Sequence, residues 1–138
     1  MGQRRKAREV ALQFLYQLDL HEAADPAPFA DEFWARHPVG RDTREFAETL
    51  VRGTKQNQGK VDQLIGQCAE HWELERMAVV DRNLLRIAVY ELLWQSEVPP
   101  KVAINEAIEI AKKFGTADSS RFVNGVLDRV HRELHPGA

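Results

Sequence analysis

The stretch Asp81 to Trp94, DRNLLRIAVYELLW, constrains this chain more than any other. On a helical wheel of about 100° per residue, Leu84, Leu85, Ala88, Val89, Leu92 and Leu93 cover one half, and Ile87 with Trp94 begins a second apolar face. Only Arg82, Asn83, Arg86 and Tyr90 form a narrow polar stripe. A helix that is apolar on two sides has to be enclosed by other helices, so the stretch is predicted to be the central post of an α-helical domain. Charges at Asp81, Arg82, Arg86 and Glu91 interrupt it. It also falls short of the roughly 20 apolar residues that a membrane span requires, so no membrane contact is expected.

The rest of the chain supplies helices to surround that post. Ala7, Val10, Ala11, Phe14, Leu15 and Leu18 mark an amphipathic first helix over Gln3 to Leu20. Asp25 before Pro26 reads as the start of a short second helix carrying Phe29, Phe33 and Trp34. Asp42 with Glu45 resembles a capping box. From there apolar residues keep one helical phase from Phe46 to Cys68, predicting a single long helix with any bend within Lys55 to Lys60. A short helical turn is expected around Leu74, between that helix and the central one. Val98, Pro99 and Pro100 end the central helix, and Lys101 to Phe114 is amphipathic, with Gly115 as its C-cap. Asp118, Ser119 and Ser120 open a last helix with Val123, Val126, Leu127, Val130 and Leu134 on its core face. Asn124-Gly125 is a hairpin signal, but the helical phase on both sides overrules it. Gly125 is then expected to permit close approach of another helix or a ligand. The fold class is all-α, about seven helices, with an N-terminal and a C-terminal group packed together in one domain over residues 1–138.

Composition narrows the function. A chain of 138 residues can bury roughly two thirds of its unfolded surface, enough for a self-sufficient core. The lone Cys68 forms no internal disulfide, and no apolar signal segment opens the chain, so a cytoplasmic protein is expected. No Gly-rich phosphate loop, nucleophile elbow or convergent metal-ligand spacing occurs, which argues against catalysis, cofactors and metals. Net charge is −2, yet Arg4, Arg5, Lys6 and Arg8 place four of the 19 basic residues within the first eight positions. That asymmetry suggests an anionic partner.

Arg4, Arg5 and Arg8 lie to one side of the apolar stripe of the first helix, and Leu12 and Tyr16 continue that side. One reading is a nucleic-acid surface, with guanidiniums on phosphates and Tyr16 as a stacking platform. The other is a solvated basic terminus with Leu12 and Tyr16 packed on a neighbouring helix, which the charges alone favour. Phe122, beside Arg121, Gly125 and Arg129, is open to the same pair of readings: base stacking, or sealing the core edge.

The run VPPKVAINEAIEIAKKFGTADSSRFVNGVLDRV, preceded by DRNLLRIAVYELL, closely resembles the C-terminal half of the bacterial NusB family of transcription antitermination factors. RRKAREVALQFLYQLDL is similar to the family's arginine-rich first helix. The resemblance implies an all-helical protein that binds the boxA element of nascent ribosomal RNA leaders. Its partner would be NusE, a small-subunit ribosomal protein, and the pair would join NusA and NusG on RNA polymerase. It further implies RNA contacts at Arg4, Arg5, Lys6, Arg8 and Tyr16 on the first helix, and at Lys113, Asp118, Ser119, Arg121 and Phe122 around the turn after Gly115. Asp118 is assigned to a base edge or to helix capping. The NusE surface would involve Glu75, Asp81 and Arg82, where acidic groups suit a basic ribosomal protein. A homodimer is possible, since the family includes monomers and dimers.

Two other classes compete. The same helical domain is found in front of ribosomal RNA cytosine methyltransferases, although this chain has no room for a cofactor-binding domain before Ala138. A pure protein adaptor would have no need of the four N-terminal charges.

Overall fold

Leu84, Leu85, Ile87, Ala88 and Val89 are each at most 1% exposed in the computed structural model, so the post is enclosed as its wheel requires. The structure describes residues 2–136. Residues 1, 137 and 138 of the expected domain lie outside that part. Seven α-helices follow in order: α1 (Gly2–Leu20), α2 (Ala27–Arg36), α3 (Arg41–Gln56), α4 (Gln58–Cys68), α5 (Val79–Trp94), α6 (Pro100–Phe114) and α7 (Ser119–Leu134). A single 3-10 turn, Leu74–Arg76, precedes α5. No strand occurs among the described residues, and no described helix is long and apolar enough to cross a membrane.

The post, α5, packs against α1, α3, α4, α6 and α7. On the far side of α1, Phe14 stacks on Phe33 of α2 at 4.3 Å, and Trp34 meets both rings edge-on. One continuous apolar cluster therefore runs from α2 through α1 and α5 to α7.

The polar stripe of α5 faces inward. Arg86 forms a fork on Asp62 of α4 at 2.8 and 3.0 Å and reaches Asp19 of α1 at 3.2 Å. Arg82 and Asn83 each donate to the same Asp19 carboxylate at 2.9 Å. Burial tends to raise the Asp19 carboxyl, but the hydrogen bonds from Asn83 and Arg82, with the charges of Arg86 and Arg82, outweigh it and hold it below its ordinary value. This network fastens α1 and α4 to the post.

Three local expectations are corrected. The helix predicted from 42 to 68 is two helices, because Asn57 turns its side-chain amide back onto the Gly53 carbonyl at 2.8 Å and leaves helical geometry. The break falls inside the polar stretch named for it. The capping box does not form: Gly40 is the N-cap of α3, without a side-chain cap. Gly125 faces open space, with nothing within 4 Å of where a Cβ would stand. The close approach belongs instead to Gly53, where a Cβ would collide with the Tyr90 ring. Asp25 accepts the Ala27 N–H at 3.0 Å, one residue ahead of the N-cap position of α2, which Pro26 occupies.

Candidate nucleic-acid interface

The first turn of α1 is held against α6 and α5 by carboxylates that its own sequence does not contain. Arg5 grips Glu106 of α6 in a two-point fork at 2.9 and 2.7 Å, with its side chain half exposed. That fork holds the Glu106 carboxyl below the usual range and raises the guanidinium. One turn later Glu9 receives the Lys113 ammonium at 3.1 Å, while Lys113 stays largely exposed. The pairs 5–106 and 9–113 set α1 and α6 side by side, and the C-terminal end of α6 leads into the turn before α7.

Arg8 is not a surface cation. Its side chain is 5% exposed and forms a fork on Glu91, itself 1% exposed, at 2.9 and 2.7 Å, with Glu106 a further 3.6 Å away. The expected phosphate contact cannot form while this buried pair stands. Arg4 is exposed and lies over the Phe46 ring at 3.9 Å, and Lys6 is exposed as well. Leu12 is buried, as the packed reading of that side expected, whereas Tyr16 is exposed, as a stacking platform must be.

Ser119 builds the α6–α7 turn from within. It is 1% exposed, and its hydroxyl accepts the Thr116 N–H at 2.9 Å. Gly115 caps α6 in extended geometry, so its lack of a side chain serves space and not a left-handed backbone: a Cβ there would strike Ser119. Ser119 thus shapes the turn without offering its hydroxyl to a ligand. Asp118, at the N-cap position of α7, makes no capping bond and is exposed, as is Arg121 three residues on. Phe122 is half-buried on the core edge and meets Trp72 edge-on at 5.7 Å.

The residues expected at the partner surface are brought together, but they differ in accessibility. Glu75 is exposed on the 3-10 turn. Arg82 donates to the Leu74 carbonyl at 2.8 Å as well as to Asp19, so it positions that turn. Asp81 is 9% exposed, with one carboxylate oxygen lacking any hydrogen-bond partner, so it is no rim charge.

Sequence reasoning missed Glu91 and Glu106 as partners of the basic cluster, Glu9 as the partner of Lys113, and Trp72 as the neighbour of Phe122. Glu91 alone carried a signal, as an acid inside an otherwise apolar helix.

A model of the NusB family matches residues 5–132. The transcription antitermination protein NusB of Anaeromyxobacter dehalogenans is 51% identical over 98% of this chain and 94% of its own. NusB of T. maritima superposes with a TM-score of 0.85 at 41% identity, over 94% of this chain and 91% of that one. A chain from the crystal structure of NusB and NusE in complex with double-stranded RNA superposes with a TM-score of 0.86 at 28% identity, over 96% of this chain and 98% of that one.

Proposed function

The chain belongs to the NusB family, and from that premise we propose that it binds the boxA element of nascent ribosomal RNA leaders together with NusE. It is a transcription antitermination factor and not an enzyme. It would work as a single RNA-binding domain over residues 1–138, in the cytoplasm, in an elongation complex of RNA polymerase with NusA and NusG.

The observation that carries the reading is the continuity of one face. Arg5 and Tyr16 stand on its α1 side and the α6–α7 turn at its far end, with Arg5–Glu106 and Glu9–Lys113 joining α1 to α6 between them, and Arg4 and Lys6 flank it on either side of α1. Arg4, Lys6 and Arg121 are exposed cations, and they suit phosphates. Arg5 and Lys113 also reach solvent, each fixed by a carboxylate that a phosphate must compete with. Tyr16 and Phe122 offer rings to unpaired bases, and the exposed carboxylate of Asp118 suits the amino group of a base edge. NusE would dock on Glu75 and the 3-10 turn, with Arg82 holding the turn in place.

A second reading, an adaptor without RNA affinity of its own, draws on the same pairing, since carboxylates already answer Arg5, Arg8 and Lys113. Salt dependence separates the two. Removing one phosphate contact should flatten the slope of log affinity against log salt by about 0.7 for single-stranded RNA. We expect Arg4→Ala with Lys6→Ala to flatten it and weaken boxA and scrambled RNA alike, and Phe122→Ala to lower affinity at unchanged slope. No measurable RNA affinity in the wild-type chain would leave the adaptor, and wild-type affinity and slope in both variants, with the fold intact, would place the RNA off this face.

A further inference from the structure

Trp72 is 53% exposed, more than any other aromatic side chain among the described residues. It is nevertheless held in place. The Trp72 backbone N–H donates to the Ala69 carbonyl at 3.1 Å, closing a four-residue turn whose third residue, His71, has a φ of +71°. That is the left-handed region where glycine is favoured, and an L side chain stays there when the surroundings impose it. They do so from α7. Glu70 accepts from Arg129 at 2.7 Å, and the indole meets Phe122 edge-on, 67° between the rings. Phe122 and Arg129 are seven residues apart, two helical turns along one face, so the turn is fastened at both ends of a single α7 surface.

We propose that Trp72 is a base-stacking residue: with Phe122 it forms a two-ring corner whose open indole face takes an unpaired RNA base. The inference rests on the RNA reading of the α6–α7 turn and extends that site by a residue from another part of the chain. An open groove of about 460 Å³ adjoins the indole, lined also by Gly66, Ala69, Glu70, His71, Glu73 and Arg76. Glu75 lies three residues further on, so the stacked base would mark where RNA passes from this chain towards the partner protein. At the corner Arg129 is paired with Glu70 and Arg76 with Glu73. That leaves Arg121 for a phosphate and the indole for a base, since every base has a ring face to stack.

The test measures boxA RNA affinity over a salt series for the full chain and for Trp72→Leu, Trp72→Phe and Phe122→Ala, and NusE affinity without RNA. Trp72→Leu should weaken RNA binding roughly 5- to 150-fold, the range for one stacked base, at unchanged salt slope. Trp72→Phe should recover most of that, and NusE binding should not move. Wild-type RNA affinity in Trp72→Leu alongside weakening in Phe122→Ala overturns the role of Trp72 while leaving the interface. Wild-type affinity in both overturns the inference and the RNA reading of this turn together. Loss of NusE binding in the absence of RNA makes the indole a protein contact and also overturns it. The native ring gives an independent readout: in a Trp94→Phe background, which keeps the buried Trp34, RNA should quench the solvent-exposed Trp72 component of the emission, and unchanged emission on saturation with RNA refutes stacking.

Discussion

Replacing Arg8 by methionine tests whether that residue serves the fold or the RNA. The substitution leaves Glu91, 1% exposed, without its two-point partner. Breaking a buried ion pair from one side costs about 3 to 5 kcal/mol, because the remaining charge stays desolvated. In a chain of this length about 3 kcal/mol corresponds to a fall in melting temperature of roughly 10 °C. Replacing both members, Arg8→Met with Glu91→Leu, removes the charge along with its partner and should restore stability to wild type or better, by up to about 4 kcal/mol. Glu106 keeps its fork from Arg5 in either variant. The stability series is read by urea or thermal unfolding, and RNA binding is then measured for the stable double variant alone. Its salt slope should equal that of wild type. A slope flattened by about 0.7 would show Arg8 on a phosphate after all, and a melting temperature unchanged in Arg8→Met would show that the pair does not carry the fold.

Three further substitutions, one of them read through its pH profile, probe the frame. Gly53→Ala should cost about 1 to 3 kcal/mol by driving a methyl into the Tyr90 ring, whereas Gly125→Ala, in open space on α7, should gain up to about 1 kcal/mol of helix propensity; urea titrations giving the reverse order would refute the packing at both sites. The Asp19 carboxyl lies below its unfolded value of about 3.9, so its stabilisation is complete above that pH and disappears as the pH falls through the lower folded value. Asp19→Asn should therefore lower stability near neutrality by about 1 to 3 kcal/mol and lessen the acid-induced drop, and parallel pH profiles for the two proteins would contradict the network.

Patterns confined to one helix were legible in the sequence, and pairings between distant helices were not. The two-sided apolar wheel of α5 required neighbours all round, and it has them. The arcs of α6 and α7 likewise bury Ala103, Ala107, Ile110 and Ala111, and Val123, Val126, Leu127 and Val130. Hydrophobic phase fails at Asn57 because it runs on unchanged while one side-chain amide competes for a backbone carbonyl. Charge counting fails at Arg8 because Arg4, Arg5 and Arg8 look alike along α1, and only Glu91, 83 residues away, separates the buried one from its neighbours. The same limit hid Trp72, whose meaning comes from Phe122 on a distant helix. Gly53 and Gly125 both sit in helices, and nothing local says which of them faces a ring. The resemblance named candidates for the interface, and burial sorted them into those that meet solvent and those that shape the turn beneath.

The decisive measurement is the affinity of the full chain for boxA RNA and for a scrambled RNA of equal length, each with and without NusE, at one fixed salt concentration. BoxA should bind more tightly than the scrambled sequence, and NusE should strengthen boxA binding more than scrambled binding. Equal affinity for the two RNAs, unchanged by NusE, would contradict boxA recognition by this chain.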